Sequence, residues 1–327
     1  MTGSLRALLH GFLDYAGLFP PAGLSMPEAV AAFAGYRTHP ERWMLSRFVC
    51  PAARVPELLE AARNLPDPGT WHLTLLTGAG ESGPESIRNL TRDLDLLAEL
   101  RRRGGSRFTT EAAEIRIPEG VAGGSPAEMD NYFGAVQRRM AASGAGCRTV
   151  FFEVSLGPRW PERLPRLGDA LTRAEPGAQP AFGFKIRTGG LEPAAFPSPE
   201  EIVAFILAAR DSGLPFKATA GLHHPVRHEN PALGVRMHGF LNVFLAAAAA
   251  HAGTEDPKQL AALIRESDPG AFRFEEEQAS WGRIVLTRPE LEAARRDFII
   301  SEGSCSFEEP VEDLTSLGLL TPQANPT

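Results

Sequence analysis

Short apolar runs and longer helical patterns alternate along the chain. Eight of the short runs are rich in β-branched and aromatic residues, as expected for strands. They begin at Phe12, Met44, Trp71, Ala113, Thr149, Ala181, Phe216 and Phe272. A segment with a helical pattern follows each run, at roughly the spacing of a βα unit. The pattern therefore predicts eight parallel strands with helices between them.

The predicted helix starts support this order. Four segments match S-x-x-E, in which a serine and a glutamate satisfy the free backbone N–H groups of a first helical turn. Their serines are Ser25, Ser82, Ser125 and Ser198. We predict a single (β/α)8 barrel of the TIM type over residues 1–317, with an N-terminal segment and a C-terminal extension that caps one end. A doubly wound open α/β sheet is the alternative, and residues 318–327 are predicted to be a disordered tail.

Composition narrows the class of protein. The 327 residues carry 40 acidic and 33 basic side chains, and this net charge of −7 argues against a nucleic-acid partner. The three cysteines are widely spaced and form no CxxC pair, so a cytoplasmic, reducing location is expected. No export signal is evident, and the apolar run from Phe240 is too short to cross a membrane. That run is predicted to be a helix buried inside the subunit or between subunits of a homo-oligomer.

Charged residues interrupt several predicted strands. Strands of a parallel barrel are covered by helices outside and filled inside, so they normally read as nearly continuous apolar runs. Because side chains alternate between the two faces of a strand, the apolar members are expected to point outward and the polar members inward. The inward set comprises Glu114, Arg116, Glu153, Ser155, Lys185, Arg187, Lys217 and Thr219, with Arg47 as a further candidate.

Two interpretations fit this inward set. Buried charges persist when they pair in a structural ion network or when they surround a charged ligand. The second is favoured because the set lies towards the carboxyl ends of its strands, where barrel enzymes carry their chemistry. Cations outnumber carboxylates in the set, which predicts a substrate with a carboxylate or phosphate group. Arg116 and Arg187 are the expected clamps, because guanidinium binds such groups in a bidentate way. Arg47 and Thr219 are further candidates for substrate binding.

Lys185 and Lys217 are predicted to be catalytic, together with Glu114 and Glu153. A free lysine has a pKa of about 10.4 and is not nucleophilic at neutral pH. Desolvation and a neighbouring cation both disfavour the charged form, so each buried lysine is expected to push the other towards a neutral amine. Such an amine can form a Schiff base with a carbonyl compound and draw electrons from a C–C bond. The sequence thus predicts a lyase that needs no cofactor and acts on a small anionic metabolite.

The two lysine-bearing strands, "FKIRTGG" and "FKATAGLHH", resemble those of class I aldolases of the deoxyribose-phosphate aldolase type. In that family a Schiff-base lysine lies on the sixth strand within K-T-S-T-G, and a second lysine lies on the seventh strand before a glycine-containing loop. The resemblance implies that Lys185 forms the Schiff base and Lys217 is its electrostatic partner. It is confined to these strands: Arg187 replaces a small polar residue, "GLHHP" replaces the phosphate-binding loop, and the relay aspartate has no clear match. Glu114 or Glu153 is expected in that relay role.

A histidine cluster supports a different chemistry. His223, His224 and His228 lie within "HHPVRH", and neutral imidazoles are common ligands of divalent metal ions. Together with a glutamate they make a metal-dependent lyase or hydrolase the first alternative. Adjacent histidines point in different directions on an extended backbone, so hydrogen bonding to substrate or proton transfer by His223 and His224 is favoured over metal binding. The second alternative is a non-catalytic binder of an anionic metabolite.

Overall fold

Eight parallel strands close into a barrel in the computed structural model of the protein, which describes residues 1–63, 65, 69–144, 146–174 and 179–321. The strands of the described residues are Leu13–Tyr15 (β1), Leu45–Pro51 (β2), Trp71–Leu76 (β3), Phe108–Arg116 (β4), Thr149–Glu153 (β5), Ala181–Arg187 (β6), Phe216–Thr219 (β7), His228–Asn230 (β8), Val235–Met237 (β9), Phe272–Phe274 (β10), Gln278–Trp281 (β11), Ile284–Thr287 (β12) and Ile299–Ser304 (β13). The barrel order is β1-β13-β7-β6-β5-β4-β3-β2. The predicted (β/α)8 barrel is confirmed, and the open sheet is wrong.

Helices surround this barrel. Their bounds are Gly3–Leu9 (α1), Met26–Tyr36 (α2), Val55–Ala61 (α3), Gly83–Gly104 (α4), Glu119–Ala122 (α5), Pro126–Ser143 (α6), Leu164–Ala174 (α7), Pro199–Asp211 (α8), Phe240–His251 (α9), Pro257–Arg265 (α10), Arg288–Asp297 (α11) and Glu308–Ser316 (α12). The strands β8 and β9 pair as a hairpin between β7 and α9. Each connection from a barrel strand to its outer helix lies at the carboxyl end of the barrel, and these loops therefore border any site there.

The predicted helix starts have the expected hydrogen bonds. Ser25, Ser125 and Ser198 each form the reciprocal capping box with the glutamate three residues later. Ser82 accepts a hydrogen bond from the backbone N–H of Glu85, whose carboxylate instead accepts from the backbone N–H of Glu81. Each of the four helices also has a proline in its first turn, where the missing N–H costs nothing.

The predicted eighth barrel strand is wrong. The run from Phe272 forms β10, which belongs to a separate antiparallel sheet with β11 and β12. The strand that closes the barrel is β13, whose sequence IISEGS is polar enough to read as a loop. Two of its residues have specific roles: the hydroxyl of Ser301 donates to Asp14 on the neighbouring strand β1, and a Cβ added to Gly303 would lie 2.8 Å from Oγ1 of Thr219.

The apolar core lies between the barrel and the helices, and it covers α9 on all sides. Residues 240–250 of this helix are buried within the single chain, so the run from Phe240 is confirmed as a buried helix inside the subunit. Near the predicted tail, Leu320 is only 2% exposed and packs against the core, whereas residues 322–327 lie outside the described residues. Across the described part of the chain, no helix is both long and apolar enough to span a membrane.

Candidate active site

The four side chains predicted to be catalytic lie together inside the barrel. The Nζ atom of Lys185 contacts Oε2 of Glu114 and lies 2.8 Å from Oε2 of Glu153. The Nζ atom of Lys217 lies 2.6 Å from Oε1 of Glu114. One carboxylate therefore bridges the two lysines. This convergence follows from the strand register, since Glu153 pairs with Lys185 and Lys185 pairs with Lys217 on successive strands.

Asp14 is a further member of this group that the sequence analysis did not identify. Its side chain is fully buried, and its Oδ2 atom accepts hydrogen bonds from Lys217 Nζ at 2.6 Å and from Ser301 Oγ at 3.0 Å. Oγ1 of Thr74 donates to the same oxygen at 3.3 Å. The alternation rule would have found Asp14, because its buried neighbours Leu13 and Tyr15 flank it in β1.

Arg47 lies inside the barrel, as predicted, but away from the cavity where a substrate would bind. Its guanidinium is 3.3 Å from Asp14 and 3.2 Å from Glu111, which also lies 2.9 Å from His72. Arg47 is the third residue of β2 and so lies towards the amino end of the strand. The expectation that Arg47 binds substrate is therefore corrected. Arg47 instead forms ion pairs with Asp14 and Glu111, below the cavity.

The charge balance of this group differs from the prediction. We refer to Asp14, Arg47, Glu111, Glu114, Glu153, Lys185 and Lys217 as the barrel cluster. It contains four carboxylates and three cations, because Asp14 and Glu111 were absent from the predicted set. Its lysines are therefore paired with carboxylates of the cluster. The expected excess of positive charge is wrong for this part of the barrel.

The ion pairs also raise the pKa of Lys185, whereas the sequence analysis expected it to be lowered. Burial alone would lower the pKa of Lys185, but the adjacent carboxylates of Glu114 and Glu153 outweigh burial and raise it. Burial would likewise raise the pKa of Asp14, yet Lys217 and Arg47 lower it to about 2. Lys185 is therefore an ammonium at neutral pH, rather than the neutral amine that two adjacent lysines alone would favour. Lys185 must transfer a proton to a carboxylate before its amine can act as a nucleophile.

A cavity of about 840 Å³ opens above this cluster at the carboxyl end of the barrel. Lys185, Glu114 and Glu153 line it, and their side chains are 5%, 5% and 14% exposed. Lys217 is completely buried and lies beneath the cavity, outside its lining. The two lysines therefore differ in access: a ligand in the cavity can reach Lys185, whereas Lys217 contacts only protein groups.

Most predicted binding residues line the same cavity. Arg116, Arg187 and Thr219 lie at the carboxyl ends of β4, β6 and β7 and border it. Nε of Arg116 is 3.4 Å from the hydroxyl of Ser155. Both arginines are exposed, and neither forms an ion pair with another of the described residues. Their guanidinium groups are free to bind an anion.

The histidines form separate contacts. Nδ1 of His223 lies 3.3 Å from Oε2 of Glu309 and 4.0 Å from Sγ of Cys305. Burial lowers the pKa of His223, but the contacts with Cys305 and Glu309 raise it to about 10. His224 instead binds Asp313, at 2.6 Å. Within the residues that the structure describes, no group of three or more His, Cys, Asp or Glu side chains is arranged to hold a metal ion. The ligand set of the metal-dependent alternative is not assembled.

The glycine loops after β6 and β7 contact each other. Oγ1 of Thr188 donates to the carbonyl of Ala220 at 2.5 Å, and a Cβ added to Gly189 would lie 2.9 Å from Cα of Gly221. Ala220 has a φ of +61°, an unfavourable left-handed conformation for a residue with a side chain. Strain of this kind is typical of functional sites. Ala220 and Gly221 both line the cavity.

Lysine is rare in this protein, which makes its location informative. The chain has only three lysines among its 33 basic residues: Lys185, Lys217 and Lys258. Two of them are buried in the barrel, and Lys258 is exposed in α10. Arginine supplies almost all of the positive charge elsewhere. Lysine differs from arginine in that it can lose its proton and act as a nucleophile.

Comparisons with known proteins give only weak likenesses. No protein-family model and no curated protein matches the chain. Similar solved structures include the apo-form of a "putative deoxyribose-phosphate aldolase" from Toxoplasma gondii ME49, at 10% identity and a TM-score of 0.37 over 96% of each chain. A second structure of a "putative deoxyribose-phosphate aldolase" from that organism has 10% identity and a TM-score of 0.37 over 96% of this chain and 93% of the other.

A third similar structure is the carboxyl transferase domain of Rhizobium etli pyruvate carboxylase with pyruvate. It has 14% identity and a TM-score of 0.39, over 97% of this chain and 55% of the other. At these values the likenesses carry no argument about activity.

Proposed function

We propose that the protein is a carbon–carbon lyase that forms a Schiff base between Lys185 and a small anionic carbonyl compound. The observation that supports this proposal is that Lys185 can be reached by a ligand in the cavity. Among the described residues it is the one lysine that lines the cavity, and two carboxylates contact its amine. A structural ion pair has no need of a cavity above it, whereas a nucleophile does.

The first step is transfer of a proton from Lys185 to Glu114 or Glu153. The neutral amine then attacks the carbonyl carbon of the substrate. The carbonyl oxygen takes one proton from the attacking nitrogen and one from the protonated glutamate, and it leaves as water. The resulting iminium keeps the positive charge that the two carboxylates already stabilise. Glu114 and Glu153 therefore disfavour the free amine but favour the cationic intermediate, which is the species that matters for catalysis.

The iminium then accepts the electron pair of a neighbouring C–C bond. As that bond breaks, a hydroxyl group on the departing fragment loses its proton and becomes a carbonyl. Glu153 is the proposed proton acceptor because its side chain is the more exposed of the two carboxylates beside Lys185. Glu153 returns this proton to the carbon of the enamine left on Lys185, and water then hydrolyses the resulting iminium and releases the second product.

Lys217 serves in this proposal as a fixed cation. Its ammonium is held between Asp14 and Glu114 at 2.6 Å from each, without contact with the cavity. It keeps the bridging carboxylate of Glu114 oriented towards Lys185. Arg116 and Arg187 bind the anionic group of the substrate above the amine.

One observation favours a second candidate, a non-catalytic binder. All three cations of the barrel cluster already have carboxylate partners. In that case the cluster is a structural network, and only the arginines that line the cavity recognise an anion.

Borohydride reduction separates the two candidates. The protein is incubated with a panel of carboxylate- and phosphate-bearing aldehydes and ketones, reduced with sodium borohydride, and its intact mass is measured. A Schiff-base lyase gains the mass of one reduced adduct. We expect Lys185→Met to abolish the gain and Lys258→Met, at the exposed lysine, to leave it unchanged. Absence of any adduct across the panel, with anion binding retained, would support the binder instead.

A further inference from the structure

The mouth of the cavity has two chemically different halves. The side chains of one half come from the elements that follow β3 and β4, which are neighbours in the barrel. They include Asn89, Arg92 and Asp93 of α4 and Arg116 at the end of β4, so arginines outnumber the carboxylate among them. Both arginines are exposed. This half offers hydrogen-bond donors and positive charge.

The other half carries large apolar side chains. They come from three connections: Phe19 follows β1, Leu191 follows β6, and Leu233 and Met237 belong to the β8–β9 hairpin after β7. With β13, the strands β1, β7 and β6 form one continuous side of the barrel. His223 and Glu309 lie in the same half, so it is not purely apolar. Arg187, at the end of β6, lies where the two halves meet.

Leu191 is the most informative of these residues. Its side chain is 64% exposed, the highest value among the large hydrophobic residues of the described chain that are open to solvent. It nevertheless lines the cavity. An apolar side chain that the folded chain leaves uncovered at the edge of a binding cavity is available for contact with a ligand.

The size of the cavity points the same way. Ligand cavities in proteins span roughly 300–1,000 Å³, and the upper part of that range accommodates drug-sized molecules. At about 840 Å³ this cavity is much larger than a three- to five-carbon anionic metabolite requires. Lys185, on β6, lies at the boundary between the two halves, next to Glu153 on β5.

We propose that the substrate is amphiphilic: its anionic group binds among Arg92, Arg116 and Arg187, its carbonyl carbon meets Lys185, and an aryl or alkyl group packs against Phe19, Leu191, Leu233 and Met237. This inference rests on the proposed function for the place of the carbonyl group. The recognition of an apolar group beside an anion is independent of any Schiff base, because it depends only on the lining of the cavity.

Two matched pairs of probes test it. Calorimetry compares butanoate with 4-phenylbutanoate, which have no carbonyl carbon that an amine can trap. Borohydride trapping compares 2-oxobutanoate with 2-oxo-4-phenylbutanoate. We expect the phenyl compound of each pair to act at a concentration about tenfold lower or better, as burial of an aromatic ring predicts.

Two variants locate the effect. Leu191→Ser should remove a large part of the preference for the phenyl compounds. Val285→Ser is the matched control. Val285 is an exposed apolar residue too, at 55%, but it lies in β12, outside the cavity. It should leave the preference unchanged.

The outcomes separate the two proposals. Tighter binding of 4-phenylbutanoate without any borohydride adduct would overturn the lyase and keep the amphiphilic site. Adduct formation with equal response to both 2-oxo acids would keep the lyase and overturn the amphiphilic substrate. A phenyl preference that Leu191→Ser leaves intact, or that Val285→Ser removes, would also overturn it, because the apolar contact would lie elsewhere.

Discussion

Replacement of Asp14 with asparagine tests the barrel cluster most quantitatively. In the folded protein Lys217 and Arg47 lower the pKa of Asp14 to about 2, from an ordinary value of 3.8. This difference of about 1.8 corresponds to about 2.4 kcal/mol of stability at neutral pH. Because the pKa is depressed on folding, this contribution is present above pH 3.8 and is lost as the pH falls through 2. Linkage predicts that about 1 kcal/mol of it has gone at pH 3.

The substitution Asp14→Asn would also leave the buried ammonium of Lys217 with Glu114 as its one remaining carboxylate. Loss of one partner from a buried ion pair costs roughly 3–5 kcal/mol. We therefore expect Asp14→Asn to lower the free energy of unfolding by about 3 kcal/mol at pH 7 and by about 1 kcal/mol less at pH 3.

Urea unfolding followed by circular dichroism at both pH values measures this difference. Asp130→Asn is the control, since Asp130 forms an exposed ion pair with Arg173 at 2.9 Å and should matter little at either pH. A loss that is equal for the two variants, or a loss for Asp14→Asn that does not shrink at pH 3, would refute the cluster as described.

Three further predictions concern other parts of the molecule. Burial raises the pKa of Glu302 well above its ordinary value of 4.5, so the folded chain holds a proton that the unfolded chain releases as the pH rises from there. Glu302→Gln should therefore become more stable relative to the native chain as the pH rises from about 4.5, and a constant difference in urea unfolding from pH 4 to 7 would contradict this. Arg187→Gln should raise the concentration of an anionic carbonyl compound needed for half-maximal trapping by about tenfold, the loss of one charged hydrogen bond, while a neutral ketone of similar size should respond equally in both proteins. Ser198→Ala removes the cap of α8 and should cost about 1 kcal/mol in urea unfolding, with trapping unchanged; a negligible cost would mean that the capping box contributes little.

The barrel was predictable from the sequence because its local signals agreed with one another. Seven strands and the four serine caps follow from patterns within ten residues or so, and the inward phase of Glu114, Glu153, Lys185 and Lys217 follows from alternation alone. These features depend on local backbone geometry, which residues close together in the sequence determine.

What the sequence did not reveal depends on contacts between distant residues. The strand β13 looks polar because Ser301 binds Asp14, 287 positions away in the chain. A search for apolar runs passes over such a strand and prefers Phe272. The wrong charge balance came from overlooking Asp14 and Glu111. The wrong direction for the pKa of Lys185 came from weighing the neighbouring Lys217 above Glu114 and Glu153, whose contacts outweigh burial.

The identity of the lysine that carries the adduct tests the central claim most directly. The protein is reduced with borohydride in the presence of an anionic carbonyl compound, digested, and its peptides are sequenced by tandem mass spectrometry. With three lysines in the chain the assignment is simple. Our account predicts that the added mass lies on Lys185, with Lys217 unmodified. An adduct on Lys217 or only on Lys258, or unmodified lysines after reduction with every compound of the panel, would contradict it.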